Sequence, residues 1–462
     1  MRVLILGLGQ FGGGLGATRF FAHHGAQVTV TDLQPAASLQ GSLEQLGDLE
    51  GIDYRLGEHT HEDLDRAHWI VINPAIPPHA PILDYARTTG ARLLTEIGLF
   101  LRWCPSPWIA GVSGSNGKST TVELATKLLR SSNRRVRLAG NIGASLLPDV
   151  LNIDPDDRIV LELSSFQLER LSPDALPRVV ALTQFAPDNH LDWHGSAERY
   201  QNAKESLLGK ANVGSSLAVL PVKSPYYDRW RRRAEAEGRR VVPFTADDCP
   251  DGGVGYRRGQ LHSDLENNNG PLLPTDELTL SGPENRGNIA CATAIALSMG
   301  GTPEGIATGV CGFRPLEHRQ EIIPARGALN FVNDSKATTP AATLCALRAF
   351  GPQAILLAGG RFKGDSFEEF ATAAHGAARL FFVYGECAGA LRQALIDAGA
   401  DDDAVVTADT LEQAFSGAIH QADDGDTILL SPACASFDQF RDYRERGDRF
   451  RSLVMEWCQL IR

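Results

Sequence analysis

The chain of 462 residues has no apolar run approaching the roughly 18 residues that a membrane-spanning helix needs. It also lacks a positive charge balance, with 44 Lys and Arg against 56 Asp and Glu and a net charge of −12. That sign excludes a large non-specific nucleic-acid footprint or an anionic-membrane surface, because both need a basic field to gather phosphate groups. Small anionic substrates need only a few placed cations and stay open. The eight cysteines (104, 249, 291, 311, 345, 387, 434 and 458) form no CxxC pair and no Cys/His cluster at zinc spacing, which predicts reduced, mostly buried thiols in a cytoplasmic protein. No repeat or low-complexity tract is present, and the 46 Gly and 25 Pro are scattered, so collagen-like and disordered classes are excluded.

What is present is alternation. Short β-branched or Leu-rich runs at 3–6, 27–31, 69–73, 108–112, 158–163, 179–183, 354–357, 380–384 and 427–430 are separated by longer helical patterns. That order predicts an α/β fold of parallel sheets with crossover helices. The apolar start Met1-Arg-Val-Leu-Ile-Leu6 mimics a signal peptide, but glycines interrupt it at Gly7 and Gly9, so it reads as a buried strand. At roughly 150 residues per domain, the length suggests about three domains. The prolines of Cys104-Pro-Ser-Pro107 and of Gly312-Phe-Arg-Pro315 mark boundaries, giving domains at 1–106, 107–312 and 313–462. The stretch 247–274 is rich in loop-forming residues and predicts a hairpin with surface excursions.

Two glycine loops carry the chemistry. Gly7-Leu-Gly9-Gln-Phe-Gly12 follows a strand and opens a helix, and Asp32 ends the next strand. This pattern suits a dinucleotide, another nucleotide, or a purely structural turn. Gly111-Val-Ser-Gly114-Ser-Asn-Gly117-Lys118-Ser119-Thr120 is more specific: backbone amides cradle phosphates, the Lys bridges β and γ oxygens, and Ser119 can hold Mg²⁺. Five residues rather than the usual four separate Gly111 from Gly117. ATP-dependent phosphoryl chemistry therefore outranks hydride transfer.

Asn116-Gly-Lys-Ser-Thr120, Glu162-Leu-Ser-Ser-Phe-Gln-Leu-Glu169, Asn333-Asp-Ser-Lys-Ala-Thr338 and Ser431-Pro-Ala-Cys-Ala-Ser-Phe-Asp-Gln-Phe440 together resemble the Mur ligases of peptidoglycan synthesis, in order and over essentially the whole chain. The last three motifs most resemble the members that add D-glutamate. The resemblance implies an N-terminal Rossmann-like domain for a uridine-nucleotide sugar, a central P-loop ATPase-type parallel sheet, and a C-terminal Rossmann-like domain for the amino acid. It implies ATP with two Mg²⁺ ions, the substrates UDP-N-acetylmuramoyl-L-alanine and D-glutamate, and a monomer that binds neither nucleic acid nor membrane.

The resemblance also implies roles. Gly114, Ser115, Asn116, Gly117, Lys118, Ser119 and Thr120 would bind ATP, joined by Asn285 and Asn288 near adenine, Arg319 on the γ-phosphate and Asp334 on the ribose. Ser119, Glu162, His190 and Lys204 would hold metal. Gln10, Phe11, Asp32, Asn141 and Gln167 would contact the UDP-sugar, although Asp32-Leu-Gln34 and Asn73-Pro-Ala75 depart from the family's usual residues there. Lys336, Thr338, Lys363, Ser436 and Tyr443 would line the amino-acid pocket. Taken from pattern alone, several of these have plainer readings: Glu162 as a structural strand end, His190 as a surface or core histidine, Asn141, Asn285 and Asn288 as turn or cap residues. Lys204 reads from pattern as a solvated helix lysine. The family instead carbamylates the lysine at this place, turning an ammonium into an anionic group able to bind a cation.

The reaction so implied is acyl-phosphate formation on the terminal alanine carboxylate followed by attack of the glutamate amine, with hinge closure excluding water. Two other readings use the same residues: a ligase of this architecture with L-glutamate or another acceptor, such as folate, and a non-catalytic nucleotide sensor. A sensor has no need of the Lys118, Ser119, Glu162, His190 and Lys204 set.

Overall fold

The computed structural model describes residues 1–10, 12–186, 191–211, 214–280, 282–314, 317–362 and 366–460. Arg2–Leu6 buries four consecutive apolar residues, the signature of a strand covered on both faces. It is the third strand of an all-parallel sheet in the order Ile52–Leu56, Gln27–Asp32, Arg2–Leu6, Trp69–Ile72, Arg92–Leu94. The direction of winding reverses beside Arg2–Leu6, the kind of switch point at whose carboxyl strand ends open α/β sheets bind ligands, and the first glycine loop lies at that end.

A second sheet has nine strands in the order Asn268–Pro274, Gln260–Leu265, Val254–Arg257, Arg239–Asp248, Ser216–Pro221, Val179–Leu182, Ile109–Ser113, Arg158–Glu162, Val136–Gly140. All neighbours are parallel except the first three strands, which pair antiparallel. The stretch 247–274 is thus more regular than its composition predicted. Arg258 and Gly259 make a two-residue turn with φ of 51° and 73°, and two left-handed residues in succession match the twist of a tight hairpin. In the middle of the sheet, Val112 pairs with Glu162 and Ser113 with Leu182, so the phosphate loop and Glu162 emerge side by side.

The third sheet runs Glu321–Ile323, Asn330–Asn333, Thr427–Ala433, Ala354–Gly359, Leu380–Tyr384, Val405–Ala408, with only the first pair antiparallel. Its central strands alternate strictly: Leu356, Phe381 and Leu429 pack on one face, Ile355, Phe382 and Ile428 on the other. The sheet is therefore covered on both sides, as a Rossmann-like domain requires.

The chain divides into two compact units, Met1–Glu277 with Gly287–Cys311, and Leu278–Arg286 with Gly312–Arg462. The first contains both of the first two sheets, because one apolar cluster continues from Val3, Phe21 and Phe100 to Leu147, Leu161 and Trp230. The helix Pro283–Ser298 starts in the second unit and ends in the first. All eight cysteines are free thiols; Cys249, Cys291, Cys387 and Cys434 are buried, whereas Cys311 is exposed. Among the described residues no helix is long and apolar enough to cross a membrane.

Within the first unit, the helix Gly13–His23 approaches the loop before Leu147–Asn152 so closely that a Cβ on Gly16 would stand 2.2 Å from Ser145 Oγ. That hydroxyl donates to Glu96 at the start of the helix Glu96–Trp103. Burial pushes the Glu96 carboxyl up from 4.5 to about 7, against the opposing hydrogen bond from Ser145. A carboxyl whose folded pKa is raised favours folding fully at low pH and loses that contribution as pH climbs through the raised value. Glu96→Gln keeps an acceptor for Ser145 and removes the titration. Its urea midpoint is expected to exceed that of the wild type at pH 8 and to match it near pH 4.5; equal midpoints at both would contradict the assignment.

Candidate active site

The strand Ile109–Ser113 delivers the chain into a loop at 114–117, and the helix Lys118–Ser131 begins directly after it. Gly114 has φ of +149°, and a Cβ there would fall 1.9 Å from Thr183 Oγ1. Gly117 has φ of +82°, and a Cβ there would fall 2.3 Å from Asn288 Oδ1. Both positions therefore require glycine, and the loop amides sit at a helix N-terminus, where the dipole favours anions. Ser115 N donates to Gln184 O at 2.7 Å, Ser115 Oγ lies 2.9 Å from Tyr200 Oη, and Thr183 Oγ1 donates to Asn116 O. Thr120 occupies the first turn of the helix, and Thr121 Oγ1 donates to Asn288 Oδ1 at 3.5 Å.

Lys118 Nζ donates to Gly114 O at 2.8 Å and Ser115 O at 2.9 Å. Ser119 Oγ donates to Glu162 Oε2, and Asn141 Nδ2 donates to Glu162 Oε1 at 2.9 Å. Glu162 is buried. Gly140 is forced by the same carboxylate residue, since its Cβ would lie 2.1 Å from Glu162 O.

Lys204 corrects the pattern-based reading. It is 2% exposed, at the end of the helix Ala197–Glu205, and its Nζ donates to Gly114 O at 2.8 Å. The Tyr200 ring lies 4.6 Å from that nitrogen. Burial pushes the Lys204 amine well below the usual lysine range; Lys118 adds to the shift and Glu162 opposes it. Helical periodicity could not reveal this, because the cover comes from the phosphate loop, 90 residues upstream.

The residues present fit ATP and Mg²⁺. Closed glycine positions and a helix N-terminus suit phosphates, and a hydroxyl paired with a buried carboxylate offers hard oxygen donors. Among the described residues no three His, Cys, Asp or Glu cluster as a metal cage.

The first sheet holds the other glycine loop, with Gly7, Gly9 and Gly12 at φ of 89°, 66° and 92°. Asp32 is committed to this loop: its Oδ2 accepts from Gly9 N at 2.9 Å and its Oδ1 from Gln34 N at 2.9 Å. Gln10 Nε2 donates to Ser38 O at 2.9 Å. Gln167 caps the short helix Ser165–Leu168, its Oε1 accepting from Ser164 N at 2.9 Å. Sequence reasoning missed Arg170, whose guanidinium donates to Asn73 O at 3.3 Å, Pro74 O at 3.1 Å and Ile76 O. It ties the second sheet's region to the loop at 73–76, and burial lowers its pKa to about 10. Phe11, His190 and Lys363 lie outside the described residues.

The second unit is organised around Asp334. Ser431 Oγ donates to its Oδ2 at 2.8 Å and Gln320 N to its Oδ1 at 3.1 Å. Burial pushes this carboxyl up to about 7, against those hydrogen bonds and the charge of Arg319. Asn285 Nδ2 reaches Gln320 Oε1 at 3.0 Å. Lys336 Nζ stands 5.2 Å from the Tyr443 ring, Thr338 N donates to Lys336 O at 2.9 Å, and Ser436 is buried. Three non-glycine residues in this region, His318, Gln320 and Ala433, have φ of 62°, 47° and 60°. Such left-handed strain persists only where the surroundings over-determine it. One of the surroundings is Arg446, fully buried, which donates to Ser335 Oγ at 3.0 Å, Ser335 O at 2.9 Å and Cys434 O at 3.1 Å.

Gly114→Ala is expected to cost about 1–3 kcal/mol through left-handed strain, more if Thr183 cannot yield. Calorimetry would show a lowered melting temperature, with ATP no longer raising it.

Three family models match the chain in order. One described as a Mur ligase MurD-like N-terminal domain matches residues 1–95, a Mur ligase middle domain matches 112–296, and a Mur ligase glutamate ligase domain matches 318–434. A UDP-N-acetylmuramoylalanine–D-glutamate ligase of Roseiflexus sp. (strain RS-1) is 39% identical over 98% of each chain. One of the same name from Desulfitobacterium hafniense (strain DSM 10664 / DCB-2) is 35% identical over 98% of this chain and 97% of its own. Solved structures share the fold at low identity: MurF from Acinetobacter baumannii has a TM-score of 0.61 at 15% identity, covering 98% of this chain and 93% of its own. UDP-N-acetylmuramate-alanine ligase from Thermotoga maritima has 0.59 at 16%, covering 100% of both. With whole-length relatives above 30% identity and all three domain types in order, the chain belongs to the Mur ligase family.

Proposed function

We propose that this protein is an ATP-dependent amide ligase that adds D-glutamate to UDP-N-acetylmuramoyl-L-alanine in peptidoglycan precursor synthesis. The observation that carries this is the convergence of Lys118, Ser119, Glu162 and Lys204 on one glycine loop, in a chain similar along its whole length to D-glutamate ligases. The alanine carboxylate attacks the γ-phosphorus of ATP, giving an acyl phosphate and ADP. The neutral amine of glutamate then attacks that carbonyl, phosphate leaves from the tetrahedral intermediate, and the nitrogen gives up one proton to solvent to leave the amide.

The chain's residues divide this work. The amides at 114–119 bind phosphate oxygens, and Lys118 exchanges its two carbonyl acceptors for the β and γ oxygens. Ser119 and Glu162 would hold Mg²⁺, and His190 and a carbamylated Lys204 would hold a second ion. Mg²⁺, when bound, neutralises charge gathering on the phosphoryl oxygens. Burial, which lowers the pKa of the Lys204 amine, favours the carbamate: the lone pair of the neutral amine bonds to the carbon of CO₂, one N–H proton leaves to solvent, and an anionic carboxylate-like group results. Asn288, Asn285, Arg319 and Asp334 contact the nucleotide. Gln10, Phe11, Asp32, Asn141 and Gln167 serve the UDP-sugar, and Lys336, Thr338, Lys363, Ser436 and Tyr443 the amino acid. The boundaries near 106 and 312 separate these tasks.

The decisive assay is ADP release from ATP, Mg²⁺ and UDP-N-acetylmuramoyl-L-alanine, with D- and L-glutamate offered separately. Turnover is expected with the D isomer and to cease when EDTA removes the metal; no turnover with either isomer would refute the assignment. Lys204→Ala is expected to melt near the wild-type temperature yet to lose most of its activity, and wild-type turnover in that variant would remove Lys204 from the metal site.

A further inference from the structure

Glu205 follows Lys204 on the helix Ala197–Glu205 and is 1% exposed. Adjacent helical residues point about 100° apart, so these two buried charges cannot serve one neighbour. Lys204 turns to the phosphate loop, whereas Glu205 turns to the helix Tyr227–Ala236. Its Oε1 accepts from Gln201 Nε2 at 2.7 Å and Trp230 Nε1 at 3.0 Å. Its Oε2 accepts from Arg229 Nη2 at 2.9 Å and Nε at 3.1 Å, and from Arg233 Nη1 at 3.4 Å. Both oxygens are thus engaged and two guanidinium groups balance the charge, which is what a buried carboxylate requires.

The clamp closes on the site from the far side as well. Trp230 stacks on Tyr226 and meets Phe185 edge-on, Phe185 stacks on Tyr200, and Tyr200 lies beneath Lys204 and against Ser115. A helix fixed on two sides cannot turn about its axis. A turn of about 20° would carry an atom at the roughly 5–6 Å side-chain radius by about 2 Å, enough to break the contact of Lys204 with the loop.

We propose that Glu205 is a positioning residue for Lys204: its clamp on Arg229, Trp230 and Arg233 fixes the rotation of the helix and holds the Lys204 amine where a carbamate forms. This rests on the reading that Lys204 is carbamylated. The test uses the full-length protein with carbon-13 bicarbonate at constant pH, reading the carbamate signal by NMR and ligase activity against bicarbonate concentration. In Glu205→Gln the bicarbonate needed for half-maximal signal and activity is expected to rise about tenfold or more, with activity recovering at saturating bicarbonate. General damage to the fold would not be rescued by bicarbonate. A folded Glu205→Gln with the wild-type bicarbonate requirement overturns the proposal. If that variant does not fold, Trp230→Phe, which removes one donor, carries the same comparison, and an unchanged requirement again overturns it. A wild-type protein with no carbamate signal overturns instead the carbamate reading of Lys204.

Discussion

The carbonyl oxygen of Gly114 accepts a hydrogen bond from Lys118 and another from Lys204, and the first unit is arranged around that shared acceptor. Two ammonium groups beside one buried oxygen repel each other, so one of them holds its proton poorly; burial decides that it is Lys204. The opposing charge comes from Glu162, which can stand there because strand register sets it opposite Val112, two positions before the loop begins at Gly114. Ser119 and Asn141 in turn fix both carboxylate oxygens. Glycine at 114 follows from the same crowding, as Thr183 occupies the space a side chain would need.

The second unit reaches order by another route. Its polar centre, Asp334, is held by a serine and a backbone amide rather than by a neighbouring lysine. Backbone strain takes the place that glycine freedom has in the phosphate loop: His318, Gln320 and Ala433 are left-handed without being glycine. Arg446 stitches three strand ends together by donating to the carbonyls of Ser335, Cys434 and Gly359. One unit obtains its sharp turns from glycine, the other from non-glycine residues held by buried side chains.

Apart from Ser216–Pro221, Arg239–Asp248 and Asn330–Asn333, the central strands and the phosphate loop were legible in the sequence because buried parallel strands are continuous apolar runs and because the loop's glycines and lysine have few structural uses. The edge strands Ile52–Leu56 and Arg92–Leu94 were not, since they are short and partly exposed. Within 247–274 a hairpin was legible but its third strand was not, because Gly, Asn and Pro outweigh the β-formers there and pairing with neighbours imposes the regularity. Lys204 shows the deeper limit. Its nine-residue helix reads as polar and solvated, and its burial depends on a loop distant in sequence. Arg170 and Glu205 escaped for the same reason: a charged residue declares its partner only when the partner is folded beside it.

The helix Pro283–Ser298 begins in one unit and ends in the other, which has a consequence for synthesis. Residues Leu278–Arg286 leave the ribosome before the first unit is complete at Cys311, yet their own unit awaits the remaining 312–462. At ribosomal speeds of roughly 5–20 residues per second, these last 150 or so residues take about 8–30 seconds. For that interval the first unit has every strand it needs, while the opening turn of its shared helix leads from a segment with no partner yet made. The order of translation therefore lets the unit with the glycine loop at 114–117 mature first, while the second unit can complete its sheet only after the rest of the chain has been made.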